Sequence, residues 1–226
     1  MHTFAKKFKF PKNFKWGTTT CAIQNEGGDV NSDYWLFEHT EGSPIVEKSG
    51  DTTDLYHRYP DDIKLMKKLG FNTWRFNIPW ERIEPEEGEF SLAQIEHYRR
   101  MGKECLENGI EPVYCFLDTT FPRWVHNKGS WLWNEIPKYF TRYVKYCCSH
   151  LSDLMNYVVT INEPDLTAII GYRFGVFPAG WEALKRGEDG EKVAETAQRN
   201  MVICHHKAME VIKDGTIPKS MGRPFL

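Results

Sequence analysis

The sharpest chemical feature of the sequence is Thr160-Ile161-Asn162-Glu163-Pro164, where an amide and a carboxylate close the apolar, β-branched run Tyr157 to Asn162 (YVVTIN). A carboxyl group at the mouth of a buried parallel strand sits where barrel folds place their reactive groups, and Pro164 fixes the turn away from the strand. A glutamate held there can protonate a leaving group and later take a proton from water. Taken alone, Asn-Glu-Pro more often marks an ordinary strand exit with a solvated glutamate. The other reactive side chains offer less. Cys21, Cys105, Cys115, Cys147, Cys148 and Cys204 form no C-x-x-C pair, and adjacent Cys147 and Cys148 suit neither a disulfide nor a zinc site. They are read as reduced, mostly buried thiols. His205-His206 lacks the i, i+4 partner of a metalloprotease helix, so no metal is expected, and no other cofactor is indicated.

A glutamate at a strand tip does chemistry only if the chain builds the strands that aim it. Short apolar runs alternate with helical patterns, the order expected of βα units around a parallel sheet. Phe14 to Ala22 (FKWGTTTCA) reads as a first strand. Asp61 to Leu69 reads as a helix, with acids in its first turn, Ile63, Leu65, Met66 and Leu69 as its apolar positions and Gly70 as its stop; Thr73 to Ile78 (TWRFNI) is then a second strand. Ser91 to Gln94 is a capping box opening a helix that runs to Gly109, followed by a third strand, Glu111 to Phe116 (EPVYCF). Asn134 to Leu151 carries Phe140, Val144, Cys147 and Leu151 on one face and precedes the fourth strand; a last helix spans Gly190 to Lys213, leaving a stub from Thr216 to Leu226.

Length and composition bound what these units can make. The 226 residues, with no visible linker or repeat, read as a single structural unit of the α/β class: four βα units and a possible start of a fifth, half of a (β/α)8 barrel of the TIM type. A closed barrel usually needs about 250 residues, and here the long connections Asn25 to Pro60 and Asp165 to Gly187 use up length, as functional loops do. With 41% hydrophobic and 27% charged residues the chain can bury a core, which excludes disorder, collagen and coiled coil. Twenty-nine Lys and Arg against 31 Asp and Glu leave no basic field for nucleic acid or anionic lipid. No apolar run is long enough for a membrane span and Met1 to Lys12 has no signal-like apolar core, so a cytoplasmic protein is the default expectation.

With these motifs in order, the chain resembles the N-terminal half of glycoside hydrolase family 1, the β-glucosidase and 6-phospho-β-glycosidase family, from about Phe8 to Gly222. Phe10 to Gly17 (FPKNFKWG) is similar to the family's opening, Gln24-Asn25-Glu26-Gly27 to its Gln-x-Glu-Gly segment, and Tyr56 to Ile63 with Leu65-Met66 to its first helix. Arg75 to Ile83 (RFNIPWERI) resembles its second strand, and Thr160 to Pro164 its acid/base strand. The resemblance implies a retaining hydrolase of β-linked sugars or aryl glycosides. Glu163 would be the general acid/base, a role that requires a carboxyl poised near neutral pH. Asn162 would hold the sugar's 2-hydroxyl, Gln24 two adjacent hydroxyls, and Arg75 the nucleophilic carboxylate, although an arginine in a barrel interior can also simply pair with a core acid. Trp131, in Gly129-Ser130-Trp131-Leu132, would either stack on sugar or pack.

Three departures limit the implication. Asp118-Thr119 stands where the family places His-Trp, leaving Asp118 as a substituted substrate-binding position; Asn77 and Pro79 replace small hydroxyl residues; and the family's nucleophile strand, with its Glu-Asn-Gly, has no counterpart. The Glu107-Asn108-Gly109 that does occur ends a helix before the third strand, which puts Glu107 at the wrong end of the sheet. Retention needs two carboxyls about 5 to 5.5 Å apart, and the chain supplies one. Two expectations stay open: a glycosidase half completed by a second half, or an inactive half-barrel that binds sugar or self-assembles. Either way, open parallel edges imply a homo-oligomer or a complementing half-barrel.

Overall fold

The computed structural model describes residues 9–216, and the expected stub lies, beyond Thr216, outside the described residues. In chain order the elements are β1 (Gly17–Thr19), α1 (Ala22–Asn25), α2 (Asp33–Glu38), α3 (Leu55–Lys68), β2 (Thr73–Asn77), α4 (Trp80–Ile83), α5 (Leu92–Glu107), β3 (Glu111–Leu117), α6 (Arg123–His126), α7 (Ile136–Leu151), β4 (Tyr157–Ile161), α8 (Pro164–Leu166), α9 (Pro178–Lys185) and α10 (Gly190–Val211). The four strands form one sheet in the order β1-β2-β3-β4, parallel throughout, with Arg75 in register with Thr19 on one side and Val113 on the other.

Alternation along the strands separates two faces. Trp74, Phe76, Tyr114 and Val158 are buried under the helices, whereas Arg75, Val113, Tyr157 and Val159 on the opposite face are only half-buried. Period-2 side-chain geometry makes this division inevitable once one face is covered. The covered face is strongly aromatic. Trp80 stacks on Tyr143 at 5.0 Å between centroids and meets Trp124 edge-on at 5.8 Å, while Phe76 meets Tyr114 at 4.9 Å. Each such ring buried contributes about 2 kcal/mol, which makes this layer the main source of stability.

Helix ends follow the sequence signals closely. Ser91 Oγ accepts from Gln94 N at 3.3 Å, but Gln94 Oε1 accepts instead from the Tyr56 hydroxyl at 3.0 Å, so only half of the capping box forms. At the end of α5, Gly109 has φ 74°, with Ile110 N bonding Cys105 O at 2.9 Å and Gly109 N bonding Leu106 O at 3.0 Å. This paired closure with a left-handed glycine stops the helix and feeds β3 from its N-terminal end. Glu107 is thereby held at the opposite end of the sheet from Glu163.

Four expectations need correction. The first strand is shorter than Phe14 to Ala22, because Asn77 Oδ1 accepts the Ala22 N–H at 2.8 Å and starts α1 there. The helix expected from Asp61 begins at Leu55 and runs through Pro60. Its first turn is held by the Asp54 carbonyl, which accepts from His57 and Arg58, so the proline costs one hydrogen bond near the start rather than the helix. Leu65 and Leu69 are exposed, since α3 flanks the edge strand and only Ile63 and Met66 turn inward. The connection Asp165 to Gly187 is mostly helical, through α8, a π-helical stretch Thr167–Arg173 and α9. All six cysteines are free and buried.

Packing of α5 on β3 leaves no slack at Gly102, where an added Cβ would lie 1.8 Å from the Tyr114 hydroxyl. That hydroxyl is buried without a hydrogen-bond partner among the described residues. Gly102→Ala should therefore destabilise by about 1–3 kcal/mol. Tyr114→Phe, which removes the unpartnered oxygen, should recover much of that loss in the double variant; urea unfolding of the four-member cycle measures it, and additive losses would contradict the packing described.

Candidate active site

Four parallel strands present their C-terminal ends on one side, and a polar pocket of about 360 Å³ opens there, lined by Thr19, Thr20, Cys21, Gln24, Arg75, Asp118, Thr119, Asn162 and Glu163. Gln24 reaches it from α1, which Asn77 anchors from the end of β2. Arg75 rises from β2, Asp118 and Thr119 follow β3, and Asn162 and Glu163 follow β4. The ladder persists to the site, with Asn162 N bonding Leu117 O at 2.9 Å.

A polar knot fixes the floor. Arg75 Nε donates to Thr19 Oγ1 at 2.5 Å, and its Nη1 donates to Asn162 Oδ1 at 3.0 Å and lies 3.0 Å from Asp118 Oδ2 as an ion pair. Asp118 Oδ1 accepts from Asn162 Nδ2 at 3.1 Å and from Thr119 Oγ1 at 3.0 Å. With only 3% of its side chain exposed, Asp118 is a buried carboxylate whose charge is matched by Arg75. Below the knot, burial and the neighbouring Asp118 charge push the Cys21 thiol far up, so it stays protonated and unreactive.

Glu163 is exposed, and its backbone is left-handed at φ 44°; Thr119, on the facing strand tip, is left-handed at φ 71°. For a β-branched threonine and a residue before proline these are uncommon conformations, costing about 1–3 kcal/mol each. Both residues line the pocket. Glu163 O in turn accepts from Thr167 N at 2.8 Å, which anchors the turn to the following π-helical stretch.

Of the residues singled out in the sequence, Gln24, Arg75, Asp118, Asn162 and Glu163 line this one pocket. Trp131 does not. It is 1% exposed, packs edge-on against Phe121 at 5.1 Å and against Phe140 at 6.2 Å, and donates its backbone N–H to the Tyr172 hydroxyl at 3.3 Å. Of its two readings, packing is the one this burial allows. Thr19, Thr20, Cys21 and Thr119 were not anticipated. The polar run Thr18-Thr19-Thr20 at a strand end was the available signal, but its value depends on a register with Arg75 that no local pattern supplies. Among the described residues no group of His, Cys, Asp and Glu could hold a metal.

A parallel α/β sheet with helices outside it and a polar pocket at the strand ends defines a protein of the (β/α)-barrel class. The profile of Glycosyl hydrolase family 1 matches residues 6–224. Beta-glucosidase A of Acetivibrio thermocellus is 32% identical over 223 residues, covering 96% of this chain and 48% of that protein. Beta-glucosidase 47 of Arabidopsis thaliana is 37% identical, covering 91% of this chain and 41% of its own length. Among solved structures, the family 1 β-glucosidase from Thermotoga maritima superposes with a TM-score of 0.84 at 30% identity, over 96% of this chain and 48% of that one. The β-glycosidase BGL167 superposes at 0.82 and 37% identity, over 95% of this chain and 55% of its own. The chain belongs to glycosyl hydrolase family 1 and forms part of its barrel, spanning about half the length of the curated relatives it matches.

The knot makes an asymmetric expectation. Arg75→Met leaves a 3%-exposed carboxylate unpaired and should destabilise by about 3 kcal/mol. Asp118→Asn keeps acceptors for Thr119 and Asn162 and leaves a guanidinium that water can still reach, so its cost should be clearly smaller. Equal losses in urea unfolding would mean the ion pair is not what holds the floor.

Proposed function

We propose that this chain carries the acid/base half of a retaining β-glycosidase site acting on β-glucoside-like substrates. The observation that carries the reading is the convergence of Gln24, Arg75, Asn162 and Glu163 on one pocket at the strand ends, in a chain of this family. Glu163 protonates the departing glycosidic oxygen and then activates water, Asn162 and Gln24 bind sugar hydroxyls, and Arg75 awaits the nucleophilic carboxylate. The half-exposed inner face and the exposed Glu163 fit a site that becomes dry only when more of the barrel covers it.

The second carboxylate is not Asp118. An inverting base needs about 6.5 to 9.5 Å to the acid and a water held between them, whereas both Asp118 oxygens are committed to Arg75, Asn162 and Thr119. A complementing half-barrel is the partner that fits. The outer side of β4, the last strand in the order of the described sheet, and the facing side of α10 enclose an apolar groove of about 540 Å³, lined by Val158, Ile161, Met201, Val202, His205 and Met209. A right-handed crossover through α10 would return the next parallel strand to that side. Such a half also brings the Glu-Asn-Gly carboxylate, which two copies of this chain would not.

The alternative, a catalytically inactive half-barrel that binds sugar or self-assembles, is separated by native mass and hydrolysis of an aryl β-glycoside measured together. The 226-residue chain by itself should show only trace hydrolysis, unchanged by Glu163→Gln. Mixed with a half-barrel bearing the nucleophile strand it should form a one-to-one complex with turnover, reduced about 10²–10⁴-fold by Glu163→Gln. Self-association without turnover in that mixture would favour the alternative. Turnover by the chain alone that Glu163→Gln abolishes would refute the incomplete-site reading.

A further inference from the structure

Beneath the pocket lies a second set of carboxyls that the glycosidase reading does not use. Glu26, Asp29 and Glu81 are each 1–2% exposed, and the guanidinium among them is Arg82. Arg82 Nε is 3.1 Å from Glu26 Oε2 and 4.0 Å from Asp29 Oδ1, and Tyr98 donates its hydroxyl to Glu26 Oε2 at 2.9 Å. Three carboxylates around one guanidinium would leave two uncompensated negative charges in the interior, at a cost the fold does not sustain. Asp29 and Glu81 are neighbours in this cluster, and Asp29 Oδ2 and Glu81 Oε2 are each buried without a hydrogen-bond partner among the described residues. Two neighbouring buried carboxyls, each with an unpartnered oxygen, are satisfied by a proton shared between them.

The pair sits at a junction. Glu81 Oε1 accepts from the Thr120 hydroxyl at 2.6 Å, and Thr120 directly follows Asp118 and Thr119. On the Asp29 side, Asn31 donates to the Glu81 and Pro85 carbonyls at 3.1 and 2.9 Å, while Asp33 exchanges backbone and side-chain bonds with Phe121 at 2.8 and 2.9 Å. Glu26, which closes α1, joins the same cluster two residues after Gln24.

We propose that Asp29 and Glu81 share a single proton and through it act as positioning residues for the pocket, clamping the strand-exit turn that carries Asp118 and Thr119 against the segment that follows Gln24. Burial and the neighbouring carboxyl push Glu81 well above its ordinary range, and burial pushes Asp29 up as well. The other groups facing the pair are Glu26, raised to about 7 by burial, Asp33, raised to about 8 by burial, Glu38, Arg82, Tyr98, Tyr143 and Cys21. None of them donates to the two orphaned oxygens.

The sign follows from proton counting. The folded chain holds a proton that the unfolded chain releases above about pH 4 to 5, so the pair favours folding less as pH rises, by about tenfold in the unfolding constant per pH unit for one proton. Glu81→Gln supplies a fixed amide donor to Asp29 and keeps an acceptor for Thr120; Asp29→Asn does the converse. Each variant should flatten the pH dependence of unfolding between about pH 5 and 8 by one proton, with the slope from Glu26 and Asp33 remaining. The double variant should titrate like either single one, because only one proton is shared. An unchanged slope in the single variants, or a two-proton flattening in the double, would overturn the proposal. If a variant does not fold, carboxyl ¹³C resonances of the native chain decide: one carboxyl of the pair keeping a protonated shift at neutral pH supports it, and two carboxylate shifts overturn it. The positioning role has its own readout. The Gln24 and Thr119 amide resonances should follow the pair's titration in the native chain and become independent of it in Glu81→Gln; identical movement in both would overturn that part.

Discussion

Parallel strands cannot be joined by a hairpin; each must be followed by a return through a helix on the outside of the sheet. Much else in this molecule follows from that obligation. It covers one face with α3, α5 and α7, leaves the other to face inward, and brings every strand's C-terminal end to the same side. Gln24 and Glu163 meet at one pocket for this reason, although most of the described chain separates them. Nothing local to either residue brings them together; the shared direction of β1 and β4 does.

The pocket then depends on charge being matched where the strands deliver it. Arg75, Asp118 and Asn162 arrive from three strands and bond to one another, so the buried carboxylate is balanced by a half-buried guanidinium as an ion pair. Under them the balance is different. Glu26, Asp29 and Glu81 outnumber Arg82, and the shared proton, rather than another cation, offsets part of the excess. Above them, left-handed Thr119 and Glu163 hold conformations that their own side chains disfavour, so the surrounding bonds, not local preference, set the aim of the pocket's walls.

The sequence made the strands, their order and the helix ends legible because these rest on local patterns: alternating burial at Trp74 and Phe76, the Ser91 cap, the Gly70 and Gly109 stops. The principal pocket residues were legible through the ordered motifs that carry the family resemblance. What stayed hidden is relational. Asn77 departs from the family pattern, but its bond to the Ala22 amide starts α1, and Pro60 closes a connection in the sequence reading, whereas the Asp54 carbonyl holds a helical turn before it. Trp131 illustrates the converse, a residue type suited to stacking on sugar that the packing of Phe121 and Phe140 has enclosed. The Asp29 and Glu81 pair lies 52 positions apart in sequence, and neither neighbourhood marks it.

The division of the sheet into a sealed face and a half-open one also has a kinetic meaning. Contacts on the sealed side link each strand to the helix beside it and to the next strand, so a nascent polypeptide can consolidate them unit by unit as it leaves the ribosome, before any later segment exists. The inner face has no such independence. Until something closes over it, the apolar groove between β4 and α10 remains adhesive, and the interval between those two events is when this molecule most needs a chaperone.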